Sequence, residues 1–251
     1  LRSARLGVSS EGQLVVERRA ELVSTLFSVG ALASIVSLAL AVVGADRLAS
    51  SIRGAMCAYG VLDATPDGMR SLAVSAVTAL GCAAWLALHR LGLALKTPSL
   101  LRLELVLALG LLPLALLDLT LALRHTLALD FRVVASCCSS GLEDVRAAAE
   151  VEHGGPRTLA TALFFGAGLV SLALFLVAAR RPTPRAASAT AVLGLGAAVL
   201  ALPAITWWVA PHVYEAPTHL CPFCLLHADA GFICYPLGAL LFFAAARGAG
   251  L

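Results

Sequence analysis

Six long apolar blocks constrain this chain more than any other feature, at about 22–44, 71–89, 105–123, 158–179, 186–210 and 225–246. A helix needs roughly 20 apolar residues to cross about 30 Å of hydrocarbon, so each block is long enough to span a bilayer. The first block carries no charge at all. Over 251 residues, 60% are hydrophobic and 13% charged, with a mean hydropathy of +0.91. Soluble domains are about 45–50% apolar and about 25% charged. The blocks exclude a soluble enzyme, a disordered chain and a nucleic-acid binder, despite a net charge of +3. The expected fold is an all-α integral membrane protein. It is a six-helix transmembrane bundle with both termini inside and long outer loops, one polytopic domain over residues 1–251 with a cytoplasmic N-terminal segment at 1–21.

Connectors separate the blocks sharply. Lys96-Thr97-Pro98-Ser99 and Arg180-Arg181-Pro182-Thr183-Pro184-Arg185 are short turns that prolines keep from continuing as helix. Longer connectors cover residues 45–70, 124–157 and 211–224. The mixed-charge N-terminal segment and the length of the first block do not fit a cleaved signal. Residue 1 is Leu, so the numbering is expected to start inside a longer chain.

Positive charge orients a polytopic chain. One side holds Arg2, Arg5, Arg18, Arg19, Arg90, Lys96, Arg102, Arg180, Arg181, Arg185 and Arg247 against Glu11, Glu17, Glu21 and Glu104. The other holds seven Arg and nine acids, including Asp46, Asp63, Asp67, Glu143 and Asp144. Both termini are therefore expected in the cytoplasm, with the long loops outside, on the periplasmic face of a bacterial inner membrane. Trp207, Trp208 and Tyr214 suit an interfacial aromatic belt at the outer end of the fifth span.

The soft ligands cluster on that outer face. Cys57 falls in the first outer loop, Cys137 and Cys138 in the second, and Cys221 and Cys224 at the mouth of the sixth span, with Cys234 a few turns in and Cys82 mid-span. His125, His153, His212, His219 and His227 map outward too, as do Met56 and Met69. Cys82 and Cys234 read most simply as packing residues, and His153 as a solvated loop residue.

His219-Leu220-Cys221-Pro222-Phe223-Cys224-Leu225-Leu226-His227 is the strongest motif. A CxxC at a helix N-terminus is expected to stabilise a thiolate, which serves both disulfide exchange and soft-metal binding. Cys224, His227, Gly231 and Cys234 are expected to form one stripe along the sixth helix. The vicinal pair Cys137-Cys138 could share one soft cation, or pair one cysteine with a distant thiol while the other resolves it. Met56 beside Cys57 adds a thioether to a thiol, which suits Cu(I). Asp118 and Asp229 are costly at membrane depth and count as functional candidates. Asp118 and His125, seven apart, share a helix face that could carry protons or could simply hydrogen-bond between helices.

From the third block onward the chain resembles the vitamin K epoxide reductase family. The shared order is a span, an outward cysteine loop (Cys137-Cys138), two spans, then Cys221-Pro222-Phe223-Cys224 entering the last helix. That resemblance implies a quinone-facing redox pair at Cys221 and Cys224, with Cys137 or Cys138 as shuttle. The family's loop cysteines are separated, whereas these are adjacent, and the first two spans have no counterpart in this arrangement. By residue type, the two outward cysteine pairs also resemble small mercury-transport membrane proteins.

Three functions follow as expectations. The first is a subunit that binds or transfers a soft metal, Cu(I) foremost, through Met56, Cys57, Cys137, Cys138, Cys221, Cys224 and His227, supported by Asp118, His125, Asp229 and Cys234. The second is a thiol–disulfide oxidoreductase linked to quinone, with Cys137, Cys138, Cys221 and Cys224 as its reacting groups. The third is a structural subunit whose cysteines tie loops together. The vicinal pair favours the metal. Expected partners are membrane lipid and other membrane or periplasmic subunits. No GxxxxGK[ST] occurs, so no ATP site is expected on this chain.

Overall fold

The computed structural model describes residues 11–95, 98–131, 155–180, 196–197, 199–215 and 219–250. These residues form helices and turns, with no strand among them. The helices are α1 (Glu11–Ala49), α2 (Ala58–Asp63), α3 (Gly68–Leu95), α4 (Pro98–Ala128) and α5 (Gly155–Arg180). Then come α6 (Val199–Val213) and α7 (Cys234–Gly250). Two 3₁₀ turns, Pro222–Leu226 and Ala228–Ala230, lie between α6 and α7.

Three stretches are long and apolar enough to cross a membrane: Arg18–Ala49, Gly68–Arg90 and Leu103–Ala128. Large apolar side chains such as Leu22, Leu26, Leu40, Val106 and Leu109 point outward. A helix apolar around its whole circumference suits hydrocarbon better than water. Pro113 lies inside α4, which continues through it.

Helix α3 is the hub, packing against α1, α4 and α7. Ala31, Cys82, Trp85 and Leu111 form one core between α1, α3 and α4. Small residues at Ala31 and Cys82 let the backbones approach, which is how helices associate in lipid.

Polar side chains stitch the two ends of this bundle. At one end Ser24 bonds His89 Nε2 at 3.0 Å, and His89 Nδ1 meets a Glu104 oxygen at 3.2 Å. Trp85 stacks on that imidazole and donates to the Glu104 carbonyl at 3.0 Å. Toward the other end, Ser75 donates to Asp118, Thr65 bonds His125 at 2.6 Å, and Arg124 pairs with Asp67 at 3.0 Å. Asp118 and His125 thus each pair with a residue of α3 or the turn before it. Gly68 is required where these pieces meet, because a Cβ there would collide with the Leu62 carbonyl and the His125 ring.

The last apolar block departs from expectation. A helix was expected from about residue 225, yet α7 begins only at Cys234. His227 is extended, at φ −75° and ψ 159°, and Gly231 and Phe232 are left-handed, at φ 64° and 56°. Cys224, His227, Gly231 and Cys234 therefore form no single helical stripe. Pro236 supplies the physical reason: it lacks an N–H and fits only the first turn of a helix, where none is needed. Pro211 acts similarly in α6, where the backbone widens to a π turn over Ile205–Val209 just before it.

Candidate functional site

Two tight turns bring distant cysteines together. Beyond α1 the backbone folds back through bonds from the Ser51, Ile52 and Ala55 amides, with Gly54 left-handed at φ 84°. Ile52 is buried and anchors this turn against Ala58, Val61 and Leu62 of α2. Cys57 caps α2 in extended conformation, and its carbonyl accepts the Gly60 amide at 3.0 Å. Its side chain is completely buried.

The second turn is the CPFC motif. Cys221 stands at the N-cap of the 3₁₀ turn Pro222–Leu226, with Pro222 at its first position. Residues three apart eclipse in a 3₁₀ turn, so Cys221 and Cys224 present sulfur to the same side. Leu225 and Leu226, both fully buried, hold this turn against α2, α6 and α7. Truncating such a leucine to alanine costs about 2–5 kcal/mol.

Cys57, Cys221 and Cys224 form one buried triad whose sulfurs all lie within 4.8 Å of one another. The Cys57 and Cys221 sulfurs are 3.7 Å apart, a non-bonded contact. Tyr59, Tyr214 and Phe223 pack around the three. The sulfurs are electrostatically unequal. The Cys224 and then the Cys57 thiol hydrogen-bond to Cys221, and the backbone amides of Cys224 and Phe223 add to them, holding the Cys221 thiol far below its ordinary pKa. Cys57 moves the opposite way, through its bonds to Cys221 and Cys224 and then its burial. The backbone amides break the symmetry, because they favour charge on Cys221. Within the triad, Cys221 is therefore the sulfur on which charge is favoured and Cys57 one on which it is not.

Tyr214 closes one wall. Its hydroxyl donates to the Cys224 carbonyl at 2.7 Å, and its ring stacks on His219 at 4.2 Å. Burial, reinforced by the neighbouring cysteines, pushes its pKa up to about 12, so the phenol remains a donor at neutral pH. His219 Nε2 is buried and makes no hydrogen bond.

Other expected site residues lie elsewhere. Met56 is 73% exposed and is not among the residues packed against the triad. His227 directs Nε2 toward Asp46 Oδ1 at 3.9 Å. Asp229 and His212 are exposed. Cys234 packs at the start of α7 between two apolar clusters, and Cys82 is buried in the α1–α3–α4 core. Cys137, Cys138 and His153 lie outside the described residues.

Sequence reading missed three polar residues around the motif: Asp46, Tyr214 and Tyr235. Asp46 was counted only as an outer acid and Tyr214 only as part of an aromatic belt. Tyr235 donates to Asp46 at 2.9 Å, joining α7 to α1. Position along the helix was the one available signal, since Asp46 lies in the last turn of α1, where an acid opposes the helix dipole. The chain matches no protein-family model, no curated protein and no solved structure.

Proposed function

We propose that this chain is a membrane thiol–disulfide oxidoreductase whose reacting sulfurs are Cys57, Cys221 and Cys224. The observation that carries this reading is the Cys57–Cys221 contact at 3.7 Å. A disulfide bond is about 2.05 Å long, so a small inward movement joins either neighbour to the central sulfur. A sulfur that favours charge, in contact with other cysteines, is also the arrangement that disulfide exchange needs. In this reading Cys57 takes the shuttle role expected of Cys137 or Cys138.

The electron balance is simple. A protein dithiol reduces the Cys57–Cys221 disulfide and leaves as a disulfide itself, having lost two electrons and two protons. The reduced cysteines then form Cys221–Cys224, and two electrons pass to a quinone of the membrane, which becomes quinol by taking up two protons. Cys57 attacks Cys221, Cys224 leaves, and the Cys57–Cys221 bond is restored. The chain is read as spanning the inner membrane six times with both termini inside, so the triad opens on the periplasmic side.

A second reading keeps the soft metal. Three thiolates about 2.3 Å from one ion would lie roughly 4 Å apart, which suits these sulfur spacings. Two of the expected ligands favouring Cu(I) are not in the triad, however: Met56 is exposed and His227 faces Asp46. The experiment is disulfide mapping and metal analysis of anaerobically purified wild type and Cys224→Ser. A Cys57–Cys221 bridge accumulating in Cys224→Ser, with no metal in the wild type, supports the oxidoreductase. Stoichiometric metal lost on Cys224→Ser, with no bridge, replaces it with the metal reading.

A further inference from the structure

The two disulfides that the triad can form differ in what holds their sulfurs together. Cys221 and Cys224 belong to one 3₁₀ turn and its N-cap, so their pairing is set within that turn. Cys57 reaches Cys221 from another arm of the chain, the turn that follows α1. Those two sulfurs must close from 3.7 Å to the length of a disulfide, about 2.05 Å. The Cys57–Cys221 bond therefore depends on how firmly the end of α1 is held against the chain beyond the CPFC turn.

One polar bond ties these two arms. Tyr235, the second residue of α7, donates its hydroxyl to Asp46 Oδ2 at 2.9 Å. Asp46 lies in the last turn of α1, and its side chain is only 8% exposed. Backbone bonds carry the connection toward both cysteines. On one side the Ser51 and Ile52 amides donate to the Leu48 and Ala49 carbonyls, and the Ala55 amide to that of Ile52, leading to Cys57. On the other, the Tyr235 amide donates to the Phe232 carbonyl, Phe232 to His227, and His227 to Cys224 at 3.1 Å. The Tyr235 ring packs against the apolar cluster of Ala45, Ala49, Ile52, Val61 and Leu226, which the two arms share. Asp46 Oδ1 is buried without a hydrogen-bond partner, with His227 Nε2 at 3.9 Å, out of bonding range. An unpaired buried acceptor costs stability, so this acid is poorly chosen for holding the fold alone.

We infer that Asp46 and Tyr235 are positioning residues that favour the Cys57–Cys221 disulfide over Cys221–Cys224. This rests on the oxidoreductase reading. The exchange between the two bridges balances internally. The Cys57 sulfur gives up its proton and bonds to Cys221, while the Cys221–Cys224 bond breaks with its electron pair on Cys224, which takes up one proton. No oxidant or reductant is consumed. Each bridge is favoured in proportion to the effective concentration of the attacking sulfur at Cys221. The Asp46–Tyr235 bond removes freedom between the arms and so raises the effective concentration of Cys57. That of Cys224 is set by its own turn and does not change. The oxidised chain is thereby biased toward the bridge that a protein dithiol reduces. Linkage makes the effect reciprocal, so the Cys57–Cys221 bridge holds the Asp46–Tyr235 bond closed more firmly than Cys221–Cys224 does.

The test uses the full chain in nanodiscs, equilibrated in a buffer of reduced and oxidised glutathione. After quenching with N-ethylmaleimide, peptide mass spectrometry reads the ratio of Cys57–Cys221 to Cys221–Cys224. Tyr235→Phe keeps the ring and removes only the hydroxyl. It should lower that ratio about tenfold, the scale of one buried hydrogen bond. Asp46→Ala should lower it as much, and the double variant no further, because both changes break one bond. A wild-type ratio in Tyr235→Phe, whatever its melting temperature, would overturn the positioning role and leave the oxidoreductase standing. Shifts that add in the double variant would likewise overturn it, since the two residues would then not act as a pair. Absence of both bridges from the wild type would remove the oxidoreductase reading itself. Should the variants fail to fold, hydrogen exchange of the wild type decides. The Phe232 and Tyr235 amides should exchange more slowly in the Cys57–Cys221 form than in the Cys221–Cys224 form, and equal protection would overturn the inference.

Discussion

The Cys57 sulfur rests 3.7 Å from that of Cys221, although the two residues are 164 positions apart. Neither cysteine lies within one of the long helices. Each is held by a short turn whose neighbours are buried, Val61 and Leu62 on one side and Leu225 and Leu226 on the other. The contact therefore depends on the packing of two turns at the end of the bundle, and a pairing this distant in sequence has no local signature.

Thiol reactivity should follow the hydrogen bonds of the triad. Cys221, with its pKa depressed, should be alkylated by iodoacetamide at nearly constant rate between about pH 6 and 8 in the reduced protein, while Cys57 stays inert there. The depressed group loses reactivity only as pH falls through its folded value. Cys224→Ala should move the Cys221 profile to higher pH more than Cys57→Ala does, because the Cys224 thiol is the stronger of the two donors. Mass spectrometry of the alkylated peptides reads this directly. Equal profiles for Cys57 and Cys221 would contradict the placing of charge on Cys221.

Tyr214→Phe should loosen the CPFC turn without dismantling it. The lost bond is the one from the phenol to the Cys224 carbonyl, at 2.7 Å. That carbonyl still accepts the His227 amide at 3.1 Å, so no acceptor is orphaned. A cost near the low end of about 0.5–1.5 kcal/mol follows. Thermal unfolding in detergent should show a small decrease, with faster labelling of Cys224. Because the phenol is pushed up to about 12, the decrease should be the same at pH 6 and pH 8.

The bundle was more legible in the sequence than the site was. The apolar blocks at 22–44, 71–89 and 105–123 fall inside α1, α3 and α4, because runs of apolar residues without breakers leave helix as the conformation that satisfies the backbone in hydrocarbon. Cys57, Cys221 and Cys224 were all singled out by residue type. The local path around the motif was not legible, since hydrophobicity alone carried the expected helix back to residue 225. Pro236 and Gly231 together would have placed the break correctly. The place of Met56 was misjudged for another reason: adjacent residues in a turn point in different directions, so proximity in sequence to Cys57 did not make it a ligand.

At the opposite end of the bundle, His89 should be a stability residue. It bridges Ser24 on α1 and Glu104 on α4 at 3.0 and 3.2 Å, with the Glu104 side chain only 11% exposed. Removing the imidazole leaves a buried carboxyl and a hydroxyl without their partner, so His89→Ala should cost about 1–3 kcal/mol or somewhat more. Ser24→Ala removes one bond and should cost about 0.5–1.5 kcal/mol. The Ser24→Ala/His89→Ala double variant should be no less stable than His89→Ala alone, because both changes break the same bond. Thermal unfolding of the three variants in detergent checks this, and additive losses would show that the chain of bonds does not act as a unit.

Orientation is the remaining prediction, and it rests on charge. Lys and Arg concentrate at the turns holding Lys96 and Arg180–Arg185 and at the segment before α1, whereas acids concentrate around Asp46–Asp67 and Glu143–Glu152. Positive loops stay in the cytoplasm. Reporter tags at residues 183 and 251 should therefore be cytoplasmic, and one between residues 143 and 150 should be external. An impermeant thiol reagent applied to reduced intact cells should reach Cys137 or Cys138. It should label the triad much more slowly, because Cys57, Cys221 and Cys224 are all enclosed and an impermeant reagent is bulkier than iodoacetamide. Two cysteine classes, fast in the loop and slow in the triad, would establish both the side and the burial in one experiment. Fast labelling of all five with no loss of structure would show instead that the Tyr59, Tyr214 and Phe223 wall opens readily, and protection of the loop pair would invert the topology.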